Sequence, residues 1–258
     1  MLDGQQIVRA LHEASDTRVA QRRMKQLRPL RGLRGVAPGE VARIAADAWR
    51  QGIRLERDAE ALAELFGGAH EDGLVALGLC AAAAQDAPDV ALELIEEWMS
   101  QVDDLETADA LGWIVLGAAS TTVSTLLDWS LDLSKDGHPV RRRVGVAIGL
   151  SMTLERIEGP AASPLRDRLQ ARHVAIGHTP SALGQLASAF VQDDSPHVQK
   201  ALARLLRAWA TVEPVAAPAW ADAQAGGIRR ALSAAIAKGA RRGERNAPNT
   251  VVCVHRTR

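Results

Sequence analysis

The sequence predicts an all-α protein built as a stack of helices. Ten runs of roughly 11 to 18 residues carry apolar side chains at helical spacing, and strand-type alternation is scarce. The joints between these runs are short and rich in Gly, Pro, Asp and Ser, as expected where helices pack beside their sequence neighbours. With 258 residues and 47% apolar content, the chain is long enough to bury a sizeable core.

The first of the ten predicted helices covers residues 38–52. It opens with Pro38 near its first turn, places Val41, Ile44 and Ala45 at helical spacing, and ends at Gly52. The other nine have the same apolar spacing and similar boundary residues. They cover 57–68, 71–85, 88–102, 106–118, 122–134, 139–153, 181–192, 195–212 and 227–239.

Two of the predicted helices begin alike, with "DGHPVRRRVGVAIGL" and "DDSPHVQKALARLLR". Each has Asp, Pro, Val and then basic residues before an apolar helix, which is typical of the second helix in a HEAT-type pair, although no strict period runs through the chain. We therefore predict a degenerate HEAT-like or armadillo-type helical-repeat solenoid with a concave basic face. Residues 1–240 would form this single domain, and 241–258 a basic C-terminal tail to which we assign no fold.

Charge is unevenly distributed along a chain whose formal net charge is zero. Residues 1–34 hold eight Lys/Arg against three Asp/Glu, residues 56–110 hold one against fifteen, and residues 135–258 hold nineteen against nine. On charge alone, a set of solvated helix faces is the favoured interpretation of these basic ends and acidic middle. The alternative is that one face meets a nucleic acid or a membrane surface.

Cysteine usage and hydropathy indicate a cytoplasmic protein. Of the two cysteines, Cys80 lies in the apolar run "LGLCAAAA" and is predicted to be a buried thiol, so with Cys253 it does not suggest a disulfide framework. The N-terminal stretch lacks the apolar core of a signal peptide, and no segment has eighteen consecutive apolar residues. We expect neither export nor membrane spanning.

Common enzyme motifs are absent from the sequence. There is no Gly-rich phosphate loop, no HExxH and no nucleophile elbow. The histidines do not show two-ligand helical spacing with a carboxylate, so we expect no metal and no cofactor. They are His12, His70, His138, His173, His178, His197 and His255.

Four segments together resemble the AlkD-type DNA alkylation repair glycosylases. They are "RRMKQLRPLRGLRGVAPGEVARI" (22–44), "LIEEWMSQVDDLETADALG" (94–112), "RRRVGVAIGL" (141–150) and "SPHVQKALARLLRAWATVEP" (195–214). They occur in the family's order, and the resemblance covers roughly residues 15 to 235. The basic Met24–Lys25 pair, followed by Gly35, Val36 and Pro38, matches the family's first segment.

The resemblance implies removal of cationic purines, alkylated at N3 or N7, from duplex DNA by a HEAT-like repeat protein. Residue by residue, it places the catalytic carboxylate on Asp109 and DNA-binding arginines on Arg143 and Arg207. Further backbone contacts are expected from Arg141, Arg142, Lys200 and Lys25. The three consecutive arginines cover about 300° of helix surface, so all three cannot face one ligand.

The expected chemistry needs few groups. An alkylated base is a cationic leaving group that requires no strong acid, and an ionised Asp109 would stabilise an oxocarbenium-like transition state and orient water. Glu106, three residues earlier, is expected to be a second acid near the site or a first-turn charge favoured by the helix dipole, the structural role being favoured. Without the resemblance, Asp109 would be a solvated helix residue.

Two positions depart from the family's pattern. Leu105 and Arg204 stand where the family has tryptophans that contact the lesion, and the nearby Trp113 and Trp209 could partly substitute for them. The candidate lesion contacts are therefore Leu105, Arg204, Trp113 and Trp209. The two tryptophans would otherwise be core residues. Either the groove admits bulky adducts, as in self-resistance to DNA-alkylating natural products, or the protein is a noncatalytic repeat module that binds DNA or a protein. We expect a monomer acting on alkylated double-stranded DNA.

Overall fold

The structure is a computed structural model that describes residues 2–27, 29–116, 122–153, 180–224 and 226–246. Within these ranges every regular element is a helix, which confirms the predicted all-α fold class and agrees with a helical-repeat solenoid. In chain order the helices are α1 (Gly4–Glu13), α2 (Thr17–Leu27), α3 (Pro38–Trp49), α4 (Leu55–Gly67), α5 (His70–Ala83), α6 (Pro88–Met99), α7 (Leu105–Ala110), a π-helix (Leu111–Leu116), α8 (Val123–Leu133), α9 (Pro139–Ser151), α10 (Pro180–Phe190), α11 (Pro196–Val212), α12 (Ala216–Asp222) and α13 (Arg230–Asn246).

Apolar periodicity did not reveal α1, α2 and the short α12. Helix α2 carries mainly polar side chains and buries Arg23 in place of an apolar stripe. Helix α13 continues to Asn246, so it includes the first residues of the segment predicted as a tail. The rest of that segment, from 247 onwards, lies outside the described residues.

The core of the N-terminal half surrounds α5. Every residue of α5 is buried, because α3 and α4 pack on it along its length. Phe66 from α4 stacks on Trp98 from α6, with ring centroids 4.5 Å apart and an angle of 11° between the planes. Such aromatic contacts add to the apolar area that α4 and α6 remove from water.

The core of the C-terminal half surrounds α9. Residues 143–151 of this helix are all buried, and α9 packs against α8, the π-helix and α11. Helix α11 in turn packs against α13 over most of its length. Each helix therefore covers an apolar side of its neighbour, as expected of stacked repeats.

A close approach between backbones brings α7 and the π-helix onto α9. A Cβ atom at Gly112 would lie 2.5 Å from the Val144 carbonyl oxygen and 2.8 Å from Ala147 Cβ. Only glycine permits this contact, because any other side chain would separate the two backbones. The approach places α7, which carries Asp109, beside the buried part of α9 around Val144 and Ala147.

Cys80 is fully buried in α5, as predicted, and burial raises the pKa of its thiol to about 12, so the thiolate that reacts with oxidants is suppressed. Cys253 lies outside the described residues. Across the described ranges, helices are too short or too polar to cross a bilayer.

Candidate active site

Helix α7 begins at a strong side-chain cap. Asp104 accepts hydrogen bonds from the backbone N–H groups of Glu106 and Thr107, both at 2.9 Å. The Thr107 hydroxyl also donates to Asp104 at 2.6 Å. An N-terminal Asp satisfies otherwise unpaired donors and interacts favourably with the helix dipole. The cap therefore fixes where α7 starts, and with it the position of Asp109 on the helix.

A buried histidine lies beneath this cap. His70 Nδ1 lies 3.1 Å from Asp104, and its Nε2 lies 3.0 Å from Glu106. Burial lowers the pKa of His70, but hydrogen bonds to Asp104 and Glu106 and the charges of both outweigh it and raise the pKa to about 9. Burial raises the pKa of Asp104, but the His70 hydrogen bond and charge reverse this and lower it well below its usual range. At neutral pH a buried imidazolium therefore joins α5 to α7.

Arg23 completes the network from α2. Its guanidinium is ion-paired with Glu106 and donates to the Val36 carbonyl at 3.1 Å. Glu71 accepts from the backbone N–H groups of Gly35 and Val36 on the same loop. Glu106 is thus used as an anchor, which agrees with the structural role favoured from the sequence. Removing any one partner would leave charged groups unpaired inside the protein.

Asp109 lies one turn beyond this network and is held by Arg143. The guanidinium Nε donates to Asp109 Oδ1 at 2.8 Å and Nη2 donates to Oδ2 at 2.7 Å. A third donor, Nη1, reaches the His197 carbonyl at the start of α11 at 2.7 Å. The Arg143 side chain is 8% exposed and that of Asp109 is 20% exposed. This forked geometry fixes the direction of the carboxylate, which stays partly exposed.

Arg204 covers the same carboxylate from α11. Its Nη1 lies 3.8 Å from Asp109 Oδ2, and its guanidinium carbon lies 4.6 Å from the centroid of the Trp113 ring. Trp113 is only 4% exposed, whereas the Arg204 side chain is 38% exposed. The arginine therefore lies as a partly exposed cation over an aromatic face beside the carboxylate.

The other two arginines of the predicted triplet point elsewhere. Arg142 donates to Asp193 at 2.6 Å, and Arg141 donates to the Ser100 carbonyl at 3.0 Å. Arg141 also lies 3.7 Å from Asp136. The structure thus brings only Arg143 of the triplet to Asp109, as the helical spacing of the three residues requires. The DNA contacts expected of all three stay predictions.

The remaining predicted site residues are spread over the surface and the core. Lys200 and Lys25 are exposed, and Arg207 is half-buried on α11. Leu105 is half-buried at the start of α7. Trp209 is buried, donates to Glu213 at 2.7 Å and packs near Trp220, as expected of a core tryptophan. The roles proposed for these residues toward DNA or a lesion stay predictions.

Motif searching missed the network of His70, Asp104 and Arg23. His70 is one of seven histidines without two-ligand helical spacing with a carboxylate, so its sequence context indicates neither a metal site nor another role. Asp104, which precedes an apolar helix, carried a recognisable N-cap signal. A buried Arg23 in a polar helix had no signal in the sequence, because its carboxylate partners lie 48 or more positions away along the chain.

In this site the Asp109 carboxylate lies beside two arginines. The network of His70, Asp104, Glu106 and Arg23 holds the start of α7 and is its polar support. Such a carboxylate can stabilise positive charge that develops on a substrate and can hold a water molecule by hydrogen bonding. The two guanidinium groups favour an anionic partner at the same place. In the described residues no group of His, Cys, Asp and Glu side chains is arranged to hold a metal ion.

The chain matches the model of one protein family. The family model described as "DNA alkylation repair enzyme" matches residues 5–238, which is nearly the whole chain. Comparison with curated proteins and with solved structures found no match. The matched range includes every residue of the Asp109 site and of its polar support. The chain therefore belongs to the DNA alkylation repair enzyme family.

Proposed function

We propose that this protein is an AlkD-type DNA glycosylase that excises cationic N3- or N7-alkylated purines from duplex DNA as the first step of base excision repair. It acts as a cytoplasmic monomer without a cofactor, with Asp109 as its catalytic residue. The observation that carries the proposal is the Asp109 carboxylate, held by both oxygens on Arg143 and left one-fifth exposed on a capped helix. The family match supports DNA as the substrate.

The proposed reaction is hydrolysis of the bond between the base and C1′ of the deoxyribose. The bonding electrons move to the base nitrogen and neutralise the cationic ring, so the base leaves without prior protonation. Positive charge develops on the sugar, where Asp109 stabilises it electrostatically. Water then forms the new bond to C1′ and loses a proton to solvent or to Asp109, leaving an abasic site.

We further propose that bulky adducts are the preferred substrates. Arg204 occupies the face of Trp113 beside Asp109, where an aromatic residue would be expected to contact a small methylated base. A larger adduct brings its own apolar surface and depends less on such a contact. Self-resistance to a DNA-alkylating natural product is the biological setting that this preference fits.

A noncatalytic DNA-binding module is the second candidate, and one observation favours it. Both Asp109 oxygens are already used by Arg143, so the pair also has the geometry of a structural ion pair between α7 and α9. In that case the same surface would bind duplex DNA without releasing a base.

Incubation of the purified protein with alkylated duplex DNA distinguishes the two candidates. One duplex carries N3-methyladenine and N7-methylguanine, and another carries a bulky N3-adenine adduct; free bases are measured by mass spectrometry. We expect release above the spontaneous rate, faster for the bulky adduct. Duplex binding without any base release would contradict the glycosylase and support the binding module.

A further inference from the structure

Helices α11 and α13 lie in backbone contact and run in the same direction. A Cβ atom at Gly239 would clash with the Arg207 carbonyl, and one at Gly243 would lie 2.5 Å from the Thr211 carbonyl. A step of four residues along α13 therefore matches a step of four along α11. This relationship sets the register of the two helices and of the side chains that they present.

Both helices carry basic residues at the same spacing. On α11 they are Lys200, Arg204 and Arg207; on α13 they are Lys238, Arg242 and Arg245. In each case a lysine is followed by arginines four and seven positions later. Because an α-helix has 3.6 residues per turn, positions with this spacing share one face. Two adjacent helices thus present the same row of three cations.

The two rows join end to end. Arg207, the last cation of the α11 row, lines a groove of about 280 Å³ together with all three cations of the α13 row. Gly239 packs against the Arg207 backbone, so Lys238, the first cation of the α13 row, lies beside the last cation of the α11 row. At 1.5 Å of rise per residue, the combined row extends for about 20 Å.

These cations have almost no anionic partners within the protein. Among the residues that the structure describes, Arg204 alone of the six forms an ion pair, and its partner is Asp109. Four cations lining one small groove repel one another, a cost that an external anion would remove. Arg204, the second cation of the α11 row, lies beside Asp109, and from there the row continues toward the C-terminal end of the stack.

We propose that Lys238, Arg242 and Arg245 form a binding site for the phosphodiester backbone of duplex DNA, which continues the α11 row beyond the lesion. This rests on the proposed function to the extent that duplex DNA is the substrate. One DNA strand carries a phosphate about every 3.4 Å of helix axis, so about 20 Å of cations faces several consecutive phosphates. The groove binds the DNA that flanks the damaged base and leaves the reacting atoms to Asp109.

A pair of matched variants tests this assignment. The groove variant combines Lys238→Ala with Arg242→Ala, and the control combines Arg230→Ala with Arg241→Ala. All four residues are exposed on α13, and both variants lose two positive charges, but Arg230 and Arg241 do not line the groove. Binding to undamaged duplex DNA is measured by fluorescence anisotropy from 50 to 200 mM salt, and circular dichroism verifies folding.

The expected result is a loss of about tenfold or more in affinity at the lower salt concentration for the groove variant. Its plot of log K against log salt should also become shallower by about 2, since roughly one counterion is released for each phosphate contact. The control should lose less than about threefold and keep the wild-type slope. Equal losses in both variants, or no loss in either, would overturn the proposal.

Failure of this proposal can be told from failure of the glycosylase proposal. The anisotropy experiment uses undamaged DNA and does not depend on Asp109. If the wild-type protein releases no base but the two variants differ as expected, the groove is supported and the glycosylase is not. If the wild-type protein releases base and the two variants bind alike, the glycosylase is supported and the groove is not.

Discussion

Arg143 and Asp109 form a two-point ion pair that joins three helices. Two guanidinium nitrogens contact the carboxylate on α7 at 2.8 and 2.7 Å, and the third contacts the His197 carbonyl on α11 at 2.7 Å. The arginine itself belongs to α9. The pair therefore fixes the direction of the candidate catalytic carboxylate relative to the helices on either side.

Arg143→Lys should impair base release more than it impairs folding. Lysine keeps the charge but loses the planar fork that holds both oxygens. We expect a base-release rate reduced by about tenfold or more and a free energy of unfolding close to that of the wild type. Arg143→Ala should also lower the free energy of unfolding by about 1–3 kcal/mol, because the carboxylate loses its partner. Urea unfolding and single-turnover base release measure the two effects; wild-type release by Arg143→Lys would contradict the positioning role.

Arg204→Ala should raise the rate of the chemical step while weakening DNA binding. Arg204 lies 3.8 Å from Asp109 and reduces the negative potential that the carboxylate offers to a cationic transition state. Its loss also uncovers Trp113. At saturating enzyme we expect release about two- to tenfold faster, and a higher Kd in anisotropy titrations. A slower chemical step would mean that Arg204 itself assists the reaction.

Stability should fall between about pH 6.5 and pH 9 through His70. Its pKa is raised in the folded protein to about 9 from 6.5, so its contribution is complete below pH 6.5 and is lost as pH rises through 9. The full effect is at most about 3 kcal/mol. The lowered pKa of Asp104 affects stability at acid pH. Its contribution to the free energy of unfolding is present above about pH 4 and is lost as the pH falls below that.

Urea unfolding of His70→Gln provides the comparison for this pH dependence. The variant should be less stable than the wild type at pH 6.5, and the difference should shrink as pH approaches 9, since glutamine does not titrate. A difference that stays constant across this range would show that the imidazole is not charged in the folded protein.

Gly112→Ala should destabilise the protein and displace Asp109. The added Cβ would lie 2.5 Å from the Val144 carbonyl, so the π-helix must move away from α9. Overpacking of this kind costs about 1–3 kcal/mol. Gly137→Ala is a suitable control, because nothing lies within 4 Å of its Cβ position. Thermal unfolding compares the two variants, and equal melting temperatures would contradict the close approach.

Local pattern revealed most of the fold but only part of the site. The ten predicted helices all have counterparts in the described residues, because apolar spacing and boundary residues are short-range signals. The family resemblance assigned separate catalytic and DNA-binding roles to Asp109 and Arg143, but the contact between them, across 34 positions of sequence, has no local signal. Arg23 and His70 could not be assigned, because burial of a charged group is determined by partners from other helices.

The π-helix is a second feature that the sequence pattern did not predict. Residues 106–118 read as one regular helix, whereas the structure changes at Leu111 from α to π hydrogen bonding. The extra residue per turn accompanies the close contact of Gly112 with α9, which is a tertiary effect that local propensity does not report. The widened turn begins two residues after Asp109, so the unexpected backbone lies next to the candidate site.

The most direct measurement of the central claim is single-turnover base release by Asp109→Asn on alkylated duplex DNA. Asparagine keeps the shape of the side chain but not its charge. Asp132→Asn, an exposed change on α8, serves as the matched control. We predict base release at or near the spontaneous rate for Asp109→Asn, with duplex affinity retained, and wild-type release for Asp132→Asn. Wild-type release by Asp109→Asn would contradict the assignment of Asp109 as the catalytic residue.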